Sequence, residues 1–161
     1  MTDEFEYRFQ ILLKEYELLQ QNIRAHDTVV FQIKGWAITL YSASVVLSVN
    51  QKARIYLALS VVVILLFWGL EALFKSFQRH FILRNRAIEH FLRSGRFGKA
   101  VAQRSFGDFV VPDITAYKSI PEIRRRTSKW RVAVYRHTIL PYLAMGLITL
   151  GLAAWPGIWG S

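Results

Sequence analysis

Residues 138–161 read TILPYLAMGLITLGLAAWPGIWGS and contain no charged side chain over 24 positions. A helix needs about 20 mostly apolar residues to cross the hydrocarbon core of a bilayer, so this stretch is long enough by itself. Two earlier runs, residues 35–49 and 55–70, are charge-free over 15 and 16 positions. They reach spanning length if Lys34 and Glu71 lie at the membrane boundary.

The composition favours a membrane protein. The chain has 161 residues, of which 53% are hydrophobic, and a formal net charge of +10. A soluble bundle is the alternative, but a chain of this length could hardly cover three such helices with polar surface. The chain contains no Cys, which excludes disulfide scaffolds, thiol catalysis and Cys-based zinc sites. The predicted fold class is an all-α membrane protein with three transmembrane helices.

Helical periodicity extends beyond the spans. Apolar residues at steps of four and three mark residues 1–33 as a heptad helix, with His26 as a polar exception. The same spacing continues through residues 75–94, with Arg84 as the polar exception. The short turn at residues 50–54 makes the two helices antiparallel neighbours. We therefore expect long cytosolic extensions that form a coiled-coil-like hairpin.

The predicted organisation has seven segments, and its orientation follows from the basic residues. The segments are a cytosolic heptad helix (1–33), a first span (34–50), a second span (54–74), a cytosolic helical extension (75–94), a basic and aromatic loop (95–118), a basic amphipathic helix (119–136) and a third span (137–156). Fifteen of the 21 Lys and Arg residues lie between Lys75 and Arg136. Since basic segments stay in the cytoplasm, we expect the amino terminus inside and the carboxyl terminus outside.

One face of the first span carries polar residues spaced three, four or seven apart. They are Lys34, Tyr41, Ser44, Ser48 and Gln51. Uncharged hydroxyls in such a pattern can line a wetted pore when several copies assemble. Small hydroxyl residues also pack helices together in membranes, and this is the more frequent role. Both interpretations stay open on the sequence alone.

Polar side chains of the two long helices are expected to meet. If Lys34 lies at the depth of Glu71, then His26 lies near Arg84, which predicts a Lys34–Glu71 pair and an Asp27–Arg84 pair. The candidate gate residues are therefore His26, Asp27, Arg84 and Glu71. The alternative is that these polar layers only specify how the helices pack.

The basic and aromatic loop is a candidate site for an anionic ligand. Cations can contact phosphates while aromatic rings stack on bases. The candidate ligand-binding residues are Arg93, Arg96, Lys99, Arg104, Phe106, Phe109 and Lys118. Attraction to anionic lipid is the competing interpretation, and we favour it for the Arg124–Arg131 cluster beside the third span.

A short pattern in the second long helix resembles an enzyme motif. Residues 84–90 read RNRAIEH, which is similar to the R-N-x4-H pattern of HEPN-type ribonucleases, in which His and Arg act on an RNA phosphodiester. Residues 131–137 repeat the Arg-x5-His spacing, so the pattern arises easily in a basic chain. We otherwise predict no catalytic residue, no metal site and no cofactor, and we expect the protein not to be an enzyme.

The layout of residues 1–94 resembles a known class of proteins. A helix containing YELLQQNIRAHD enters the first span at KGWAITL, and the later extension reads FQRHFILRNRAIEHFLR. This is similar to small bacterial membrane effectors of anti-phage defence, such as SLATT-domain proteins and the channel subunit of Hailong-type systems. The resemblance implies an inner-membrane ion channel of four or more copies, opened by a nucleotide or single-stranded oligonucleotide. The alternative is a non-conducting adaptor that recruits a cytosolic partner protein through its coiled coil.

Overall fold

The computed structural model describes residues 4–113 and 128–159, and it contains six helices and no strand within those residues. The helices are α1 (Glu4–Asn50), α2 (Arg54–Arg93), α3 (Gly95–Gln103), α4 (Lys129–Ala133), α5 (Arg136–Ala154) and α6 (Pro156–Trp159). The prediction of an all-α protein is therefore confirmed.

Three of the helices, α1, α2 and α5, are long and apolar enough to cross a membrane. Only 22% to 33% of the residues in their most apolar stretches are buried within the chain. In a soluble protein this much apolar surface would need a covering of other side chains, whereas lipid tails cover it in a bilayer. Length, composition and exposure together indicate a membrane protein.

A short turn separates the first two spans. The backbone of Lys52, just after the end of α1, has a φ of 50°, a left-handed conformation that does not continue a helix. The Ala53 N–H donates to the Ser48 carbonyl at 3.2 Å, and the Ser48 hydroxyl donates to the Ala53 carbonyl at 3.2 Å. These bonds satisfy backbone groups near the end of α1 and hold the turn closed.

The segment after α2 differs from the irregular loop expected at residues 95–118. α2 ends at Arg93, and extended backbone at Ser94 separates it from α3. Glycine weakens a helix, and α3 contains Gly98. The helix forms nevertheless because Phe97 and Ala100 on one of its faces pack into an apolar core.

The basic helix expected at residues 119–136 is described only in its last part. Residues 114–127 lie outside the described residues, and α4 occupies the part that follows. Extended backbone at Tyr135 (φ −61°, ψ 136°) separates α4 from α5. α5 begins at Arg136, one residue before the expected start of the third span.

Contacts divide the chain into two units, each of which contains part of α1 and part of α2. The spanning unit comprises Thr28–Ser76 and Ser128–Ser161, and the aromatic unit comprises Met1–Asp27 and Phe77–Thr127. The buried core of the spanning unit is Ile33, Ala37, Tyr41, Ile64, Phe67, Tyr142 and Met145. The buried core of the aromatic unit is Leu12, Leu19, Ile88, Phe91, Ala100 and Phe106.

Within the aromatic unit, α1 and α2 run antiparallel, and three of the side-chain hydrogen bonds between them define how the helices pair. The pairs are Asp27–Gln78 at 2.7 Å, Gln20–Asn85 at 3.1 Å and Tyr16–Glu89 at 3.3 Å. From one pair to the next, the contacts advance seven and then four residues, in opposite directions along the two helices. The two helices are therefore paired side by side over this stretch.

Candidate functional site

A buried carboxylate lies among the helices of the spanning unit. Glu71 is 0% exposed, and its Oε1 lies 2.6 Å from Nζ of Lys75 and 3.4 Å from Nζ of Lys34. Its Oε2 accepts a hydrogen bond from the Tyr142 hydroxyl at 3.0 Å. The predicted Lys34–Glu71 pair is therefore confirmed. We call these four residues the Glu71 cluster, and α1, α2 and α5 each contribute to it.

Both lysines of the Glu71 cluster have further partners on α5. Lys75 Nζ donates to Thr138 Oγ1 at 3.0 Å, and Lys34 Nζ donates to the His137 carbonyl at 3.3 Å. An ion removed from water loses several kcal/mol of hydration, so a buried carboxylate needs both opposite charge and hydrogen bonds. With two lysines and one carboxylate, the cluster has one excess positive charge.

The middle of the polar stripe on α1 packs against other parts of the same chain. Tyr41, Ser44 and Ser48 are 7%, 5% and 0% exposed. The Tyr41 hydroxyl donates to the Met145 carbonyl at 2.9 Å and accepts from Thr149 Oγ1 at 3.3 Å. This arrangement corresponds to the packing alternative. In the described arrangement these three side chains are buried within their own chain, so their role as a pore lining stays a prediction that requires another arrangement of the helices.

The two ends of the stripe are placed differently from its middle. Lys34 belongs to the Glu71 cluster and its side chain is 31% exposed. Gln51 is exposed in the turn after α1. The buried part of the stripe therefore consists of its three hydroxyl residues.

Arg84 forms a buried ion pair in the aromatic unit, and its partner is Glu15 rather than Asp27. Its Nε lies 2.8 Å from Glu15 Oε1, and its Nη2 lies 3.0 Å from Glu15 Oε2. Nη2 also donates to the Val110 carbonyl at 3.0 Å, and the Asp113 N–H donates to Glu15 Oε1 at 3.2 Å. The pair thus connects the segment after α3 to both long helices.

The predicted Asp27–Arg84 pair is wrong. Asp27 accepts a hydrogen bond from Gln78, and His26 packs on Phe81 with 5.5 Å between ring centroids. The prediction aligned the helices by their depth in the membrane. An error of a few residues in each of two antiparallel helices brings a different side chain opposite each position. The gate candidates of the aromatic unit therefore do not form one polar layer.

The candidate ligand-binding residues separate into exposed cations and packed rings. The exposed cations are Arg93, Arg96, Lys99 and Arg104. Phe106 is 6% exposed and stacks on Phe5 with 5.2 Å between centroids, while Phe109 stacks on Phe91 at 4.1 Å. The prediction that these two rings stack on bases is therefore corrected, since their faces are used in the core. Lys118 lies outside the described residues.

A polar cavity of about 410 Å³ lies beside one of these cations in the aromatic unit. Its lining includes Arg104, Ser105 and Arg8, together with Glu4. The Glu4 carboxylate lies 2.9 Å from Nη2 of Arg8. Two guanidinium groups and one carboxylate leave an excess of one positive charge around a space that can hold a small anionic group.

The structure does not place Arg84 and His90 in one catalytic site. Arg84 is 4% exposed and is held by Glu15, whereas His90 is exposed. Side chains six positions apart on a helix point about 120° apart around its axis. The Asn85 amide of the same motif donates to Glu89 at 2.9 Å. The described geometry therefore gives the ribonuclease hypothesis no support.

Sequence reasoning missed several partners of the buried charges. They are Glu15, Lys75, Thr138 and Tyr142. Lys75 had a sequence signal, because it follows Glu71 by four residues and this spacing pairs charges on one helix face. Glu15 had none, since its heptad position alone does not show that an arginine 69 residues later reaches it. The two α5 residues depend on how that helix is rotated against α2.

Residues 4–113 and 128–159 contain no group of three or more His, Asp or Glu residues that could hold a metal ion. Comparisons with protein families, with curated proteins and with solved structures gave no match to this chain. Inference about the function of this chain therefore rests on its buried charges and its exposed surfaces.

Proposed function

We propose that this protein is an oligomeric ion channel of a bacterial inner membrane, with its amino terminus in the cytoplasm and its carboxyl terminus outside. The observation that carries the proposal is the Glu71 cluster, in which charged or polar groups from all three candidate spans meet. Charged residues within spans are costly and rare, and by default they indicate an ion pathway, a gate or a coupling site.

In this proposal the described arrangement is a closed state that the Glu71 cluster stabilises. The hydroxyls of Tyr41, Ser44 and Ser48 are directed into the chain, where they are not available to a conducting path. Opening separates Glu71 from its lysines and allows the spans to rotate, so that the hydroxyl stripe faces an axis shared by several copies. A signal favours opening if it binds the open state more tightly than the closed state.

The proposed signal is an anion such as a nucleotide or a single-stranded oligonucleotide. Its receptor is the group of exposed cations that begins at Arg93 and continues along α3 to Arg104, because guanidinium groups bind phosphate with paired hydrogen bonds. Arg93 ends α2, the helix that also contains Glu71.

We further propose that the antiparallel pairing of α1 and α2 is a coiled-coil hairpin. The layout of residues 1–94 supports a role in anti-phage defence.

The test is conductance of the purified full chain in planar bilayers. Glu71→Gln removes the charge that balances two lysines, so the closed arrangement loses stability relative to one in which the lysines are hydrated. We expect the open probability without any added ligand to rise by about tenfold or more. Glu17→Gln is the matched control, because Glu17 is exposed and contacts Lys14 and Gln21 on the surface of α1.

Two results would contradict the channel proposal. One is the absence of conductance from both the native chain and Glu71→Gln when circular dichroism shows that both remain helical. The other is a monomeric particle in mild detergent and in lipid nanodiscs, since one chain of this structure encloses its own hydroxyl stripe. Equal conductance of the native oligomer and of the Glu71→Gln oligomer would show that the cluster has no role in gating.

A non-conducting membrane adaptor is the second candidate, and the burial of Tyr41, Ser44 and Ser48 within one chain favours it. In that role the spans only anchor the protein, and the helical aromatic unit recruits a cytosolic partner. The adaptor predicts no conductance and a monomer or dimer. It also predicts that a soluble partner co-purifies with the native chain and is lost when exposed residues of the aromatic unit are changed.

A further inference from the structure

An open apolar groove lies along α2, α4 and α5 in the spanning unit. It consists of two cavities, of about 270 and 290 Å³, and Trp68 forms part of the wall of both. α2 and α4 line the first cavity, and α2 and α5 line the second. Gly69 and Gly146 are among the lining residues, and a Cβ added at either position would meet no other atom within 4 Å. The absence of side chains at these positions therefore gives the groove part of its depth.

The α5 wall of the groove is about as long as one leaflet of a bilayer is thick. This wall extends from Ile139 to Leu150, which is about 17 Å of helix at a rise of 1.5 Å per residue. The hydrocarbon core of a bilayer is about 30 Å thick, so each leaflet contributes about 15 Å. An apolar groove of this length on a spanning helix matches an extended lipid tail.

Two exposed arginines are close in sequence to the residues that line the α4 end of the groove. Trp130 lines this end and is 74% exposed, as is typical of a ring at the membrane–water interface. Arg131 is the next residue in α4 and Arg136 begins α5, and both side chains are exposed. Glu71 of α2 is paired with Lys75, so its charge is already balanced.

We propose that this groove binds an anionic phospholipid of the surrounding bilayer, with one acyl chain in the groove and the phosphate at Arg131 and Arg136. Charge complementarity favours this occupant over a second copy of the chain docked by the same face, because that face would bring the same cations together. The proposal depends on the membrane location alone and is independent of conductance.

The test is lipid binding by the detergent-purified full chain, measured by native mass spectrometry during titration with phosphatidylglycerol. Gly146→Leu adds a side chain to the wall of the groove, at a position where the Cβ meets no other atom within 4 Å. We expect it to weaken binding by about tenfold or more, because it displaces several methylene groups of the tail. Gly151→Leu is the matched control on α5, since Gly151 is equally open and does not line the groove. Gly69→Leu repeats the test from α2.

The head-group part of the proposal is tested with the double variant Arg131→Gln, Arg136→Gln. The native chain should prefer phosphatidylglycerol to phosphatidylcholine, and the double variant should bind the two lipids within about twofold of each other. Equal binding of the two lipids by the native chain would overturn the proposal. So would unchanged phosphatidylglycerol binding by both leucine variants. A change of oligomeric state in Gly146→Leu with lipid binding intact would instead assign the groove to a second copy.

Discussion

At the scale of single residues, Glu15, Glu71 and Arg84 are charged and yet only 2%, 0% and 4% exposed. Each has a partner of opposite charge at 2.8 Å or less, Glu15 with Arg84 and Glu71 with Lys75. The free energy needed to remove such a pair from water is about as large as the attraction between its two charges. Removing one partner, however, leaves a buried charge that nothing compensates. Substitution of one member should therefore be much more damaging than substitution of both.

We predict that Arg84→Met lowers the free energy of unfolding of the aromatic unit by about 3–5 kcal/mol, because Glu15 then remains buried without its cation. Glu15→Leu combined with Arg84→Met should recover part of that loss, since the Glu15 charge is removed with its cation while Asp113, whose Oδ2 lies 3.7 Å from Nη1 of Arg84, keeps its charge. The measurement is chemical unfolding of the detergent-solubilised chain, followed by circular dichroism.

Arg86→Met is the control, because Arg86 lies two residues further along α2 and is exposed. It should change the unfolding free energy by no more than about 0.5 kcal/mol. Equal effects of Arg84→Met and Arg86→Met would mean that the buried pair does not contribute to stability. A double variant less stable than Arg84→Met alone would mean that packing, rather than charge, dominates at this position.

At the scale of elements, α3 shows how tertiary packing overrides local signals. Glycine weakens a helix, and α3 contains Gly95 and Gly98, but Phe97 of α3 packs edge-on against Phe91 of α2, with 6.0 Å between ring centroids. Arg104 ends α3 in the left-handed conformation, with a φ of 50°. The packing of its apolar face and the left-handed residue at its end thus stabilise α3, whereas its glycines lower the stability of the helix.

Two alanine substitutions near α3 should have opposite effects. Gly98→Ala should stabilise α3 by about 0.5–1 kcal/mol, because alanine loses less backbone entropy in a helix and its Cβ meets no other atom within 4 Å. Gly107→Ala should destabilise the following segment by about 1–2 kcal/mol, because Gly107 has a φ of 55°.

Hydrogen–deuterium exchange of residues 95–109 measures both effects. Exchange should slow in Gly98→Ala and quicken in Gly107→Ala. Quicker exchange in Gly98→Ala would show that this glycine is needed for a contact that its open surroundings do not reveal.

At the scale of the whole molecule, three long apolar helices and the distribution of basic residues predict one orientation in the membrane. The turn between the first two spans should lie outside, and α3 should lie in the cytoplasm. The chain contains no Cys, so single cysteines can report on each side without background reaction.

We predict that Gln51→Cys reacts with a membrane-impermeant maleimide in intact bacterial cells, whereas Gln103→Cys reacts only after the cells are permeabilised. Both positions are exposed, so the membrane is the sole barrier in this comparison. The measurement is the mass shift of the labelled protein on a gel. Labelling of Gln103→Cys alone in intact cells would reverse the orientation, and labelling of both in intact cells would reject the cytoplasmic location of α3.

The Lys34–Glu71 pair and the Asp27–Arg84 pair show how far the sequence reaches. The first was predicted correctly because both residues border apolar runs and a short turn makes the helices antiparallel, so both must lie near the same depth. The second was wrong because depth locates a residue only to within a turn or two of helix. The described helices pair in a different register, and Arg84 pairs with Glu15, which precedes Asp27 by about three turns of α1.

Sequence by itself determined the helical class, the three apolar helices and the boundary of α2, because these depend on periodicity and on runs without charge. Only the tertiary structure decided what the polar and aromatic side chains contact. Ser48 has the same hydroxyl whether it faces a pore or a neighbouring turn, and Phe106 has the same ring whether it stacks on a base or on Phe5. The physical reason is that spacing specifies which face of a helix a residue occupies, whereas the rotation of the helices against one another specifies what that face meets.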